Sequence, residues 1–169
     1  MFRIAGVDFL NTGLSPFIQV DDMHRFRLMI KSPSLADFKK LLNMLSSELS
    51  TVAFTKQSGP GKPFYLHRYM TISSWQVLPC PIDSLYFAVV RLNGRDDLIH
   101  LFNAYRRKRS MPLLMYFYNE QTVLRLSPFY LDVISDDRYL IAELKSCFPY
   151  RVTEYDGVPA ISEEEWGEE

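Results

Sequence analysis

From Arg25 the chain reads RFRLMIK, in which Phe26, Leu28 and Ile30 alternate with Arg25, Arg27, Met29 and Lys31. That is the period of a strand with one apolar face. SPSLADFKKLLNML follows: Ser32 reads as a cap, Pro33 as the first helical residue, and Leu35, Phe38, Leu41, Leu42 and Leu45 as one apolar stripe. TVAFTK then reads as a strand, SGPGKP as a turn, and FYLHRYMTI as a further strand. The same order returns sixty positions later. SLYFAVVRL is a strand, Asn93 and Gly94 a turn, and Leu98, Leu101, Phe102 and Tyr105 the stripe of a second helix, before MPLLMYFY, a turn at NEQ, and TVLRL. Each helix has one apolar stripe to bury, so the sequence predicts an α+β fold: two βαββ units forming a sheet with both helices packed on one face.

This periodicity divides the chain into three parts. Residues 1–23 form a β-rich segment expected to add an edge strand, and residues 24–157 a single domain holding the repeats, about 24–83 and 84–135. Within that domain FYLDVIS reads as a strand, Asp137 to Phe148 as a helix, and YRVTEY as a last strand. Residues 158–169 form an acidic tail. From Arg151 onward one base faces seven acids, a net of −6, which leaves +5 on residues 1–150 of a chain whose total is −1. A tail of that kind solvates the chain, folds back on a basic face or meets a basic partner. With 47% apolar residues the chain suits a folded domain with a sizeable core, and no apolar run approaches the roughly 18 to 20 residues of a spanning helix. No charged-then-apolar leader opens it. The expectation is a soluble, intracellular, cytoplasmic protein, with Cys80 and Cys147 as free buried thiols.

Two strand-helix-strand-strand units between His24 and Ser135 resemble one domain of the sliding clamps that encircle DNA. FRLMIKSPSLADFKKLLNML in particular is similar to the clamp pattern of a strand ending in Lys, a Pro/Ser corner and an entering amphipathic helix. The resemblance implies two helices facing DNA, with Lys39 and Lys40 on the first and Arg95, Arg106, Arg107 and Arg109 on the second meeting phosphates without reading sequence. The residues present amount to one such domain, so a ring implies several subunits. The same plan is similar to ligand-binding families of the gyrase-inhibitor type, and SLADFKKLLNML to the substrate-recruiting domain of MecA-type protease adaptors.

Taken by themselves, Arg106, Arg107, Lys108 and Arg109 have two readings: a phosphate grip, or cations placed at a helix end by the dipole. Tyr116, Phe117 and Tyr118 form a run that is either buried on both faces or offers one aromatic face to a partner. In EEEWGEE, Trp166 stands among Glu163, Glu164, Glu165, Glu168 and Glu169, an aromatic anchor in an acidic segment suited to a basic apolar groove. His24, His67 and His100 are scarce and scattered, with no paired His or Cys at ligand spacing, and no nucleophile, phosphate-loop or zinc motif is present, so neither metal, cofactor nor catalysis is expected. The function expected is that of a non-catalytic regulator or adaptor that binds another macromolecule, a protein first and nucleic acid second. The rival is a small-molecule binder or enzyme using an aromatic-lined groove between the helices.

Overall fold

The computed structural model describes residues 3–10, 14–45, 47–57, 65–81, 85–107 and 111–153. The alternating strands become β3 (Arg25–Met29), β4 (Thr51–Gln57), β5 (Gln76–Pro79), β6 (Leu85–Arg91), β7 (Met115–Tyr118), β8 (Thr122–Leu126) and β9 (Tyr130–Ser135). They form one antiparallel sheet in the order β3-β9-β8-β7-β4-β6-β5. Its register lines up side chains in cross-strand rows. Phe26, Val133, Leu124, Phe117, Val52 and Val90 make one row, and Leu28, Leu131, Leu126, Met115, Phe54 and Ala88 the next on the same face. All twelve are buried.

Helices α2 (Leu35–Met44), α3 (Arg95–Arg106) and α4 (Arg138–Cys147) cover that face. The helices of the two sequence units therefore do pack on one side, where Phe38 and Phe102 stack with centroids 3.7 Å apart. The chain is an α+β protein. Its antiparallel pairings make β3 parallel to β4 and β6 parallel to β7, so α2 and α3 are each a crossover between parallel strands. The strands that follow the crossovers differ. β8 pairs directly with β7, whereas β5 pairs with β6, which separates it from β4.

Several local readings need correction. Ser34, not Ser32, caps α2: its side chain accepts from the Asp37 N–H while Asp37 accepts from the Ser34 N–H, a reciprocal box that a Ser32 start does not offer. FYLHRYMTI holds a 3-10 turn at Leu66–Arg68 rather than a strand. A strand would send Leu66, Arg68 and Met70 to one side, whereas the turn buries Leu66 and Met70 and leaves Arg68 exposed. Tyr150 to Thr153 of YRVTEY is not a strand either. The Val152 N–H bonds to the Arg27 carbonyl beside the β3 edge, and Glu154 and Tyr155 lie outside the described residues. The SGPGKP turn lies outside the described residues.

Among the described residues the N-terminal segment does not extend the sheet, whose outermost strands are β3 and β5. It lies on the second face instead. β1 (Arg3–Ile4) and β2 (Val7–Asp8) form a separate hairpin through Ala5 and Gly6, both at positive φ, the backbone that two-residue hairpin loops favour. With α1 (Pro16–Gln19), this segment places Ile4, Phe9, Leu10, Phe17 and Val20 against Ala53, Phe87, Val89, Tyr116, Tyr118, Val123 and Ile134. The aromatic run is thus buried on both sides: Phe117 under the helices, Tyr116 and Tyr118 under Phe9.

Candidate functional site: the seam between α2 and α3

A polar row crosses the covered second face: Arg27 opposite Asp132, and Asp132 opposite Arg125. All three are fully buried. Arg27 grips Asp132 with two bonds, Nε to Oδ1 at 2.6 Å and Nη2 to Oδ2 at 2.8 Å, and Arg125 Nη1 approaches Oδ2 at 3.4 Å. The Arg27 guanidinium lies between the rings of Phe17 and Tyr130, 3.9 Å from each centroid. Alternation in RFRLMIK assigns Arg27 to solvent; the N-terminal segment removes that solvent, and the carboxylate in FYLDVIS supplies the partner. Because these charges are closed in, this ladder is architecture rather than a docking surface.

The sequence-derived cations sort differently. α2 and α3 run antiparallel, since the first residue of α3 bonds to the last turns of α2 and the last residue of α3 to the residue after β3's corner: Arg95 donates to the Lys39 carbonyl at 2.9 Å and to Asn43 Oδ1, and Arg106 Nη2 to the Lys31 carbonyl at 3.5 Å. Arg106 also stands 5.4 Å over the Phe102 ring. One end of the seam therefore carries Lys31 and Arg106, with exposed Arg107 beside them, and the other carries Lys39 and Arg95. From Arg95 to Arg106 is about 16 Å at 1.5 Å per residue. Between these ends the Phe38–Phe102 stack is sealed in the core, with half-buried Ile99 packed against it.

Lys40 does not join the seam. Its ammonium lies 5.6 Å from the Phe148 ring, on the α4 side of α2. Lys108, Arg109 and the tail residues Glu163, Glu164, Glu165, Trp166, Glu168 and Glu169 lie outside the described residues. Lys31 is the addition: it ends the first strand in the sequence, and only the antiparallel helices bring Arg106 to it. Acids adjoin the cations. Asp96 and Asp97 occupy the first turn of α3, where the Asp97 carboxylate accepts from the Asn93 N–H. Asp37 accepts from the Tyr150 hydroxyl at 2.7 Å. That bond and the one from the Ser34 N–H hold its carboxyl below the usual carboxylate value, while burial and then the Asp37 contact push the Tyr150 phenol up.

The groove expected between the helices is filled by the stacked Phe38 and Phe102. A pocket of about 300 Å³ lies elsewhere, at the lip of the second face, lined by Arg3, Ile4, Phe9, Ser50, Thr51, Tyr118, Asn119 and Glu120. Burial pushes the Tyr118 phenol there up to about 12. Cys80 and Cys147 are half-buried rather than sealed in the core. Among the described residues no group of three or more His, Cys, Asp or Glu gathers at metal-binding distance, and no helix is long and apolar enough to cross a membrane. The fold and the seam define an α+β protein with a short two-ended cationic surface. Comparison with known proteins finds no matching family model, no matching curated protein and no matching solved structure.

Proposed function

We propose that the chain is a non-catalytic adaptor or regulator that acts by binding a protein, and that the α2–α3 seam is where it does so. One observation carries this reading: cationic residues gathered at two ends, about 16 Å apart, of a pair of antiparallel helices. A protein segment with acidic residues spaced to reach both ends complements that pattern. Nucleic acid presents a denser, continuous row of charge, one per about 1.7 Å of duplex axis. The second reading, a DNA-associated clamp-like factor, draws on both helices lying on one face of the sheet with cations outward.

The two are separated by capture from native lysate on the parent chain and on a variant carrying Lys31→Glu, Lys39→Glu, Arg95→Gln and Arg106→Glu, each with and without nuclease. The protein reading predicts a nuclease-resistant partner on the parent that the variant loses, with both chains melting as folded proteins. Loss of the captured material on nuclease treatment would move the assignment to nucleic acid. Equal capture by both chains would remove the seam from the function.

A further inference from the structure

The outer side of α4 offers a second surface of different chemistry. Tyr139 is 81% exposed and Met23, from the 3-10 turn Asp22–His24, is 55% exposed. With Ile141 and Ala142 they line a groove of about 290 Å³ rimmed by Arg138 and Lys145. Large side chains left this far in water beside cations are the pattern of a docking site for an apolar residue carried between acids. The turn that supplies Met23 is tied to the helix by Lys145, whose ammonium donates to the Asp22 carbonyl at 2.6 Å and to its carboxylate at 3.0 Å.

We propose that this groove receives the chain's own C-terminal segment, with Trp166 seated against Tyr139, Met23 and Ala142 and its flanking glutamates directed to the rim at Arg138. Two observations select this occupant over an outside partner. The first is chemistry: residues 154–169 carry seven acids, no base and one Trp, in EEEWGEE, and a groove with an apolar floor and a cationic rim answers both parts of that segment. The second is where the described chain ends. Arg151 donates to the Lys145 carbonyl at 3.0 Å and the Val152 N–H to the Arg27 carbonyl, so the last described residues lie between the last turn of α4 and the β3 edge. Trp166 lies thirteen residues past Thr153, a reach of up to about 43 Å, whereas α4 is only about 15 Å long. Asp22 and Glu143 are the local acids that oppose the contact; Asp22 is already engaged by Lys145 and Arg25.

Trp166 reports on its own position once Trp75, the other tryptophan, is replaced by Phe. In that full-length chain the Trp166 emission is expected to be blue-shifted, and its quenching by acrylamide several-fold weaker, relative to the free peptide of residues 163–169. Ala142→Glu and Arg138→Glu, both at exposed positions of α4, should return emission and quenching toward the peptide values without altering the circular dichroism melt. The seam variant described above should leave Trp166 protected. The proposal is overturned if Trp166 in the parent is as accessible as in the peptide, if the seam variant rather than the groove variants releases it, or if protection disappears on dilution, which would assign the contact to a second copy. None of these outcomes depends on whether the seam binds a partner.

Discussion

Arg27, Asp132 and Arg125 show how a strand residue's environment depends on what lies over it. Three charges in one cross-strand row are stable only because each guanidinium meets the same carboxylate and Arg27 is also held between two aromatic faces. Removing the shared anion leaves two buried cations facing each other. Asp132→Ala should therefore destabilise the fold by about 3 to 5 kcal/mol, read as a shift in the denaturant midpoint at unchanged slope. A change well under about 1 kcal/mol would mean that water reaches the row.

At the scale of elements, α2 is placed by its first turn. The Ser34–Asp37 box satisfies two backbone donors, and Ser34→Ala should cost about 0.5 to 2 kcal/mol in an equilibrium melt. The same turn makes stability pH-dependent. Asp37 is held below its ordinary 3.8 by the Tyr150 hydroxyl and the Ser34 N–H, so its contribution is present above about pH 4 and is lost as pH falls through the lowered folded value. Asp37→Asn should fall less in stability than the parent between about pH 6 and about pH 3. A parallel fall in both would place the acid sensitivity on other carboxylates. α3 starts after Gly94 with no side-chain cap, and instead has Asp96 and Asp97 in its first turn and Arg106 in its last, the polarity that complements its dipole.

For the whole molecule, the sheet is a middle layer with helices on one side and the N-terminal segment on the other. Deleting residues 1–20 strips Ile4, Phe9, Leu10, Phe17 and Val20 from that second side and opens both an aromatic surface and the charge row to water. The expected result is a large drop in melting temperature with increased light scattering and binding of an apolar dye. A monodisperse truncated chain melting with the parent would show that the segment is an accessory rather than a layer.

Much of this architecture is legible in local pattern. Phe38, Leu41 and Leu42, and Leu98, Leu101 and Phe102, recur at helical spacing and are buried; VAF, YFAVV and TVLRL are rich in strand formers and are strands. Such signals depend on neighbours within a few residues, and they survive without knowledge of the rest of the chain. Alternation also identifies two faces for each strand, but not which face is wet. That was decided by the N-terminal segment settling on the second side, which buried Arg27 and Arg125 where a polar residue ordinarily faces solvent. The seam has the same character. Lys39, Arg95 and Arg106 are visible as cations flanking apolar stripes, yet only the antiparallel packing of α2 on α3 pairs Lys39 with Arg95, pairs Lys31 with Arg106, and sends Lys40 toward Phe148. Period and composition are carried by the sequence because they act over a turn or a strand; layer, register and the grouping of distant charges belong to the tertiary structure, because they arise between segments that sequence distance leaves unrelated.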